Sequence, residues 1–227
     1  MYDCVIVGGG VVGLSIADQL SLRGRRVAVV DHQTTRRQTS WAAAGILPPA
    51  NEESAHDDFG RLCGLSWRLH AELADRFAAA GHNVGYRRCG GLHLARTPGE
   101  AASLSAVAQQ WSDDGISVEQ LAVDELLRRF PVLSDAVAKS EIRRAFWAPN
   151  EAQVRTPRYL KALRSVCEQQ GVEFIENRRV TNIMTHDGTV TGVKTTGDKA
   201  GGEIVGCLLY TSPSPRDATL SRMPSSA

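Results

Sequence analysis

The chain has 227 residues, of which 42% are hydrophobic and 22% are charged, and its formal net charge is +1. This composition excludes collagen-like, coiled-coil and wholly disordered proteins. The 26 lysines and arginines balance the 25 aspartates and glutamates. Because no long run of one sign occurs, we expect neither a nucleic-acid surface nor a polybasic membrane anchor. The expected partner is a small-molecule substrate.

The cysteines give no sign of a metal site or of a disulfide framework. There are five cysteines, with no Cys-x-x-Cys spacing and no histidine at the spacing of a metal ligand. The chain starts without a basic leader and contains no apolar stretch of about eighteen residues. These features predict a cytoplasmic protein with no export signal and no membrane span, and they leave a homo-oligomer open.

The N-terminal segment predicts a β-α-β unit. Residues 2–7 are apolar and β-branched, as in a buried parallel strand, and they lead directly into a glycine-rich turn. The next segment has an apolar helical face and ends at Gly24. Residues 26–30 predict a second buried strand, which ends at Asp31.

Helix and strand signals then alternate to about residue 206. Residues 32–51 predict an extended loop, and residues 54–80 predict a long amphipathic helix with a capping box that starts at Ser54. Residues 84–88 and 91–95 predict two strands in a hairpin or bulged pair. The other predicted helices are 97–114, 124–130 and 156–170, and the other predicted strands are 116–121, 144–148, 172–175, 180–185 and 189–195.

These elements predict an α/β fold, with a Rossmann-like dinucleotide-binding domain and an inserted mixed-sheet substrate domain. We assign residues 1–80 to the first part of the dinucleotide-binding domain and residues 151–206 to an incomplete return to it. Residues 81–150 form part of the inserted domain. Residues 202–206 stand where a further strand of the central sheet is expected to begin.

The strongest motif is Gly8-x-Gly10-x-x-Gly13, with an acid, Asp31, eighteen residues after the third glycine. Gly8 allows a tight turn, Gly10 lets the backbone approach a pyrophosphate at the helix N-terminus, and Gly13 lets the helix pack closely on the strand. Asp31 can accept hydrogen bonds from ribose hydroxyls and would repel a 2′-phosphate. The motif predicts an ADP moiety with a free ribose, against the alternative of a glycine-rich turn that binds nothing.

The fingerprint alone does not separate NAD from FAD, because both contain ADP. An NAD-binding domain would continue with another crossover helix and strand. Here the segment 39–47, TSWAAAGIL, follows instead. The hydroxyls of Thr39 and Ser40 can meet phosphate oxygens, and the small residues 42–45 allow the backbone to lie against a flat ring. This segment favours FAD.

The sequence resembles the D-amino-acid oxidase-like flavoenzymes, most closely the glycine oxidases linked to thiamine synthesis. The resemblance rests on VIVGGGVVGLSIA at 5–17, Asp31, TSWAAAGIL at 39–47, GGLHLA at 90–95 and EAQVRTPRYL at 151–160, and it covers residues 2–206. It implies that FAD is contacted by further residues in addition to the three glycines of the motif. These are Val11, Val12, Asp31, His32, Thr39, Ser40, Ala43, Ala44, Gly45, Ile46 and the main chain of Val180.

The resemblance implies that a small amino acid or amine is oxidised to an imine, and that molecular oxygen reoxidises the flavin with release of peroxide. Glycine is the first choice of substrate and a D-amino acid or sarcosine the second, while a non-catalytic FAD-binding subunit stays open. Because the cofactor carries the chemistry, no catalytic acid or base is expected in this chain. Several arginines are either substrate clamps or, more commonly, solvated surface side chains: Arg87, Arg88, Arg143, Arg144 and Arg155.

The last 21 residues, CLLYTSPSPRDATLSRMPSSA, depart from the preceding pattern. They resemble the translation of a common sequencing-library adapter in one reading frame, and we interpret residues 207–227 as a non-native tail rather than a disordered segment. On this interpretation the chain is an N-terminal fragment. The family's substrate-binding arginine would lie in a C-terminal half without a counterpart here, so we expect the chain by itself to be inactive.

Overall fold

The computed structural model describes residues 1–32 and 39–196, and the backbone alone of residues 203–205 and 209–211. The strands in this part of the chain are β1 (Cys4–Val7), β2 (Val27–Val30), β3 (Ile46–Leu47), β4 (Arg87–Arg88), β5 (Gly91–Ala95), β6 (Glu119–Gln120), β7 (Arg144–Ala148), β8 (Ala152–Gln153), β9 (Glu173–Ile175), β10 (Val180–His186), β11 (Thr189–Thr195), β12 (Glu203–Val205) and β13 (Leu209–Thr211). The α-helices are α1 (Val11–Ser21), α2 (Thr39–Ala42), α3 (Asp58–Ala79), α4 (Pro98–Asp113), α5 (Val123–Arg129), α6 (Ser134–Ala138) and α7 (Thr156–Gln169).

The chain divides into two compact units. The first comprises residues 1–44, 80–84 and 156–227, and the second comprises residues 45–79 and 85–155. The predicted α/β class is confirmed. The second unit takes in α3, which the sequence-based division had included in segment 1–80. The assignment of a function to each segment stays a prediction.

The first unit is built on a parallel sheet in the order β13-β1-β2-β9. Its two central strands are apolar and are buried except at Val7, which is partly buried, and they pair in parallel from Cys4 opposite Val27 to Val7 opposite Val30. This is the opening β-α-β unit that the sequence predicts. Full burial of one such aliphatic side chain stabilises the fold by about 1.5–3 kcal/mol before conformational entropy is counted.

Side chains alternate between the two faces of this sheet, and each face has its own core. On one face, Ile6 and Val29 pack with Ala17 of α1 and Cys167 of α7. On the other face, Val5 and Val30 pack with Val193 of β11. The unit therefore has three layers, with α1 and α7 on one side of the parallel sheet and the antiparallel sheet β10-β11-β12 on the other.

The C-terminal strands differ from the sequence expectation. Residues 203–205, expected to begin a strand of the central sheet, form β12, which pairs antiparallel with β11 from Gly192 opposite Val205. The strand that pairs with β1 on the side away from β2 is β13, with Val5 opposite Leu209. Apart from the backbone of β13, the proposed non-native tail 207–227 lies outside the described residues, and its origin stays a prediction.

The second unit holds two small antiparallel sheets, β3-β8-β4 and β5-β7-β6. Leu121, Leu126 and Ala145 form a buried cluster beside the second sheet, and Leu92 and Trp147 pack against it. A 3₁₀ turn at Pro131–Leu133 joins α5 to α6. Within residues 1–32 and 39–196, every helix is too short or too polar to cross a membrane.

The predicted hairpin of residues 84–88 and 91–95 is wrong. Strand β4 pairs with β8, whereas β5 pairs with β7. The amide of Gly90 donates to the carbonyl of Glu151, and its φ of +73° turns the chain from one sheet to the other. A Cβ at Gly90 would lie 2.1 Å from the ring of Trp147, so this crossing also requires glycine.

Two local boundaries also differ from the prediction. Helix α3 starts at Asp58, and Oδ1 of Asp57 accepts a hydrogen bond of 2.6 Å from the amide of Gly60, so Asp57 rather than Ser54 caps it. The hydroxyl of Ser54 instead donates to the carbonyl of Asp114. The predicted loop 32–51 contains α2 and β3, while its residues 33–38 lie outside the described residues.

Helix α4 begins with a complete capping box. The hydroxyl of Thr97 accepts from the amide of Glu100 at 3.2 Å, and the carboxylate of Glu100 accepts from the amides of Arg96 and Thr97. These backbone hydrogen bonds lower the pKa of Glu100. The carboxylate's contribution to the cap is therefore present at neutral pH and is lost as the pH falls through the lowered pKa.

We expect Thr97→Ala to lower the free energy of unfolding of the second unit by about 1 kcal/mol, because it removes the N-cap acceptor. A urea titration followed by the fluorescence of Trp111 and Trp147 measures this change. Ser103→Ala is the matched control, since Ser103 is exposed on the same helix and does not cap it. Equal midpoints for the two variants would contradict the prediction.

Candidate dinucleotide-binding site

The turn between β1 and α1 has the shape that its three glycines predict. Gly8 has a φ of +106°, which favours glycine, and its amide donates to the carbonyl of Val30. A Cβ at Gly13 would lie 2.1 Å from the carbonyl oxygen of Gly8. The first turn of α1 therefore lies directly against the turn, as the third glycine of the fingerprint is expected to allow.

Gly10 is the N-cap of α1 and supplies no side-chain cap. The N-terminal amides of a helix need acceptors from outside the helix. The amide of Val11 finds one in the hydroxyl oxygen of Ser40, at 3.2 Å. Val12, in the same helical turn, exposes 45% of its surface. The structure thus brings together two segments that the sequence proposes for the cofactor site, 10–13 and 39–40.

Asp31 lies just after β2 and is 7% exposed. Its Oδ2 accepts a hydrogen bond of 2.7 Å from the amide of Gly9, and its Oδ1 lies 3.4 Å from Nδ1 of His32. Its backbone is also fixed, because its amide donates to the carbonyl of Ile175 and its carbonyl accepts from the amide of Arg178. The carboxylate is held beside the glycine turn, where the sequence places the acid of the fingerprint.

The segment after Thr39 is tied to the start of α7. The hydroxyl of Thr156 lies 3.2 Å from the carbonyl of Trp41 and 2.9 Å from the carbonyl of Ala43. Its single proton is shared between these two acceptors. Ala43 and Ala44 are exposed. Thr156 therefore fixes the path of the residues that the resemblance places against the flavin.

The remaining predicted contacts lie elsewhere in the fold. Gly45 and Ile46 belong to the second unit, where Gly45 has a φ of +76° and accepts from the amide of Val154. Ile46 is 59% exposed. Val180, in the first unit, starts β10 and packs against the buried cluster of Val5 and Val30.

Two residues that hold this site were missed at the sequence level. Gly9 supplies the amide that binds Asp31, and a Cβ there would lie 2.8 Å from Oδ2 of Asp31. A third consecutive glycine in the turn was the available signal. Thr156 was assigned only as the start of a helix, and no local signal indicates that its hydroxyl reaches residues 41 and 43.

Two titratable groups in and beside β1 have pKa values raised by burial. Burial raises the pKa of the Cys4 thiol, as expected for a side chain that packs in β1. Burial together with a hydrogen bond to Glu173 raises the pKa of Tyr2 to about 12. The described residues contain no group of three or more His, Cys, Asp or Glu side chains that could hold a metal ion.

Comparison with known proteins places the chain in one family. A family model described as FAD dependent oxidoreductase matches residues 3–212. The bifunctional protein ThiO/ThiG of Nostoc sp. is 31% identical over 85% of this chain and 28% of its own length. The pyruvate dehydrogenase phosphatase regulatory subunit of Mus musculus is 27% identical over 84% of this chain and 21% of its own length.

A glycine oxidase from Geobacillus kaustophilus is 31% identical over 90% of this chain and 53% of its own length. A crystal structure of glycine oxidase from that species superposes with a TM-score of 0.83 at 28% identity, covering 96% of this chain and 56% of that one. The chain thus spans between about a fifth and a half of the curated relatives that it matches.

We expect Gly13→Ala to lower the free energy of unfolding of the first unit by about 1–3 kcal/mol, because the new methyl group would overlap the carbonyl of Gly8. Urea unfolding followed by circular dichroism measures the change. Gly99→Ala is the matched control, since a Cβ at Gly99 meets nothing within 4 Å in α4. Alanine is favoured over glycine in a helix, so a control that is destabilised as much as Gly13→Ala would contradict the steric argument.

Proposed function

Because the chain belongs to the family of FAD-dependent oxidoreductases, we propose that its first unit binds the ADP half of FAD. The observation that carries this proposal is the buried carboxylate of Asp31, fixed on the amide of Gly9 beside the start of α1. A carboxylate fixed at the end of the second strand is an acceptor for ribose hydroxyls. The hydrogen bond to Gly9 fixes the position of this carboxylate, so little ordering of it is needed on binding.

The start of α1 fits a pyrophosphate. Its N-cap is a glycine without a capping side chain, and helix N-termini favour anions through their free amides and their dipole. The hydroxyl of Ser40 lies beside the amide of Val11, so it can donate its proton to a phosphate oxygen while it accepts from that amide. Val11, Val12, Thr39 and Ser40 are the proposed phosphate contacts.

The segment 43–46 is the proposed neighbour of the flavin ring, with Val180 beside the adenine. Ala43 and Ala44 are small and exposed, and the exposed Ile46 offers an apolar surface to a flat ring. His32 flanks the ribose through its contact with Asp31. The role of these residues is to bind and orient the cofactor.

We propose that the whole protein oxidises a small amino acid or amine, with glycine as the first choice and a D-amino acid or sarcosine as the second. The similarity to a glycine oxidase over 90% of this chain supports this proposal. When bound, FAD supplies the redox chemistry by accepting a hydride from the substrate. The proposed role of the residues named above is to hold the nucleotide. Molecular oxygen as acceptor, a homo-oligomer, a cytoplasmic location and a link to thiamine synthesis stay predictions.

A second candidate function is that of a non-catalytic FAD-binding subunit. One relative is named as a regulatory subunit of a phosphatase, and it matches 84% of this chain at 27% identity. The proposed nucleotide contacts serve a binding protein as well as an enzyme. The two functions differ in turnover rather than in FAD binding.

We expect Asp31→Ala to weaken FAD binding roughly ten- to a hundredfold, because a charge-assisted hydrogen bond to the ribose is lost. Titration of the apoprotein with FAD, followed by flavin fluorescence, measures the dissociation constant. Asp3→Ala is the matched control, because Asp3 also accepts from a backbone amide, that of Arg26 at 2.8 Å, but lies at the start of β1. Unchanged FAD affinity in the Asp31 variant would refute the assignment of the ribose site.

Turnover separates the two candidate functions. A protein of the relatives' full length that contains residues 1–206 is expected to release peroxide when glycine is added, and anaerobic glycine is expected to bleach its bound flavin. The matched negative control is the same protein without added amino acid. Stoichiometric FAD without bleaching by glycine, sarcosine or a D-amino acid would favour the non-catalytic subunit.

A further inference from the structure

Helix α2 is a single turn whose position depends on contacts with its neighbours. It contains only residues 39–42, and a helix of this length does not form stably on its own. None of its residues is buried, so the burial of apolar side chains does not anchor it. Ser40 nevertheless stands at a defined place, because its hydroxyl accepts from the amide of Val11 at the start of α1. Polar contacts are therefore needed to fix this turn.

Thr156 supplies such a contact from the first turn of α7. Its hydroxyl lies 3.2 Å from the carbonyl oxygen of Trp41 and 2.9 Å from that of Ala43. The last carbonyl groups of a helix have no partner within it, and these two residues lie at and just after the end of α2. The hydroxyl proton of Thr156 is thus placed where α2 needs a donor. Trp41 directly follows Ser40 in the chain, so this contact acts on the residue next to the proposed phosphate contact.

Helix α7 is also the helix against which α1 packs. Sγ of Cys167 donates to the carbonyl of Leu14 at 3.5 Å, and Cys167 packs with Ala17 in one buried cluster. Just after α7, Nε2 of Gln170 donates to Oδ1 of Asp18 at 3.2 Å. Helices α1, α2 and α7 all belong to the first unit. One helix therefore supports both α1 and α2 and sets how they lie relative to each other.

We propose that Thr156 is a positioning residue for the pyrophosphate of the bound nucleotide. It holds α2 on α7, and α2 in turn holds the hydroxyl of Ser40 beside the amide of Val11. The hydroxyl of Ser40 is then oriented to donate to a phosphate oxygen, and Thr156 acts only through it. This inference rests on the proposed function, because it takes the start of α1 to be the phosphate site.

ADP and adenosine are the probes, with the full chain as the protein, because the two ligands differ only in their phosphates. Thr156→Val keeps the shape of the side chain and removes its hydroxyl. It is expected to weaken ADP binding about three- to tenfold, the effect of losing one hydrogen bond, and to leave adenosine binding unchanged. Titration followed by NMR measures both dissociation constants. Thr156→Ser, which keeps the hydroxyl, should bind ADP as the unchanged chain does.

Ser21→Ala is the matched control. The hydroxyl of Ser21 also links α1 to the end of α7, because it donates to the side chain of Gln170, but it lies at the opposite end of α1 from the phosphate site. This variant should leave ADP binding unchanged. Equal losses of ADP affinity in Ser21→Ala and Thr156→Val would overturn the proposal. Equal losses of ADP and adenosine affinity in Thr156→Val would also overturn it, since they would indicate a general effect on the fold.

A double-mutant cycle tests the route through Ser40. Ser40→Ala alone is expected to weaken ADP binding about tenfold, because it removes a hydrogen bond to a charged phosphate. If Thr156 acts through Ser40, then adding Thr156→Val to that variant should weaken ADP binding no further. Additive losses would contradict the proposed route, because they would indicate two independent contacts with the nucleotide.

Amide hydrogen exchange gives a readout that needs no nucleotide. In the unliganded chain, Thr156→Val is expected to raise the exchange rate of the Val11 amide about three- to tenfold, because its acceptor Ser40 is held less well. The amide of Leu14, which donates to the carbonyl of Gly10, is the internal reference. The same exchange rate of the Val11 amide with and without the hydroxyl of Thr156 would refute the positioning role.

The outcomes separate this inference from the proposed function. If the unchanged chain binds ADP and Thr156→Val binds it equally well, the positioning role fails while the proposed function stands. If the unchanged chain binds neither ADP nor FAD, the proposed function fails, and exchange at Val11 still decides whether Thr156 holds Ser40 in place. Circular dichroism confirms that each variant is folded. If Thr156→Val unfolds, Thr156→Ala takes its place, since alanine also lacks the hydroxyl and suits a helix.

Discussion

The hydrogen bond from the amide of Gly9 to the carboxylate of Asp31 is the contact on which the geometry of the first unit depends. It joins the end of β2 to the turn between β1 and α1. This turn also sets how closely α1 approaches β1, since Gly13 lies against the carbonyl of Gly8. A buried carboxylate needs such partners, because an unpaired charge in this position would be costly. One residue thus orients the turn and is itself oriented by it.

Local elements were predictable where the signal is contained in a few adjacent residues. Strands β7 and β11 have the predicted bounds, because short apolar runs mark them in the sequence. The capping box of α4 depends only on Thr97 and Glu100, which are three residues apart. The predicted pairing of 84–88 with 91–95 failed for the opposite reason. The paired residues of their partners, β8 and β7, lie 49 to 66 residues away along the chain, and the turn signal at Cys89-Gly90 does not encode them.

The candidate site likewise combines local features that were predictable with long-range contacts that were not. The three fingerprint glycines and Asp31 were predictable, because their spacing reflects the fixed geometry of a strand, a turn and a helix. The contact between Val11 and Ser40 joins two predicted segments, but neither segment indicates this hydrogen bond. Arg87 and Arg88 are adjacent residues of the same type, and the sequence alone does not distinguish them. They face opposite sides of the sheet because side chains alternate in a strand, and which side each one faces is known only once the register with β8 is known.

The shared hydrogen bond of Thr156 with residues 41 and 43 has a consequence for the order in which the molecule folds. It joins positions 113 and 115 residues apart in the chain. Such a contact closes a long loop, and closing a loop of this length is slow compared with forming a helix or a local turn. The hydrogen bond between Gly9 and Asp31, by contrast, joins positions only 22 residues apart in the chain. The short-range contact between Gly9 and Asp31 is therefore expected to form early in folding, whereas residues 41–43 are expected to become ordered later, when α7 docks.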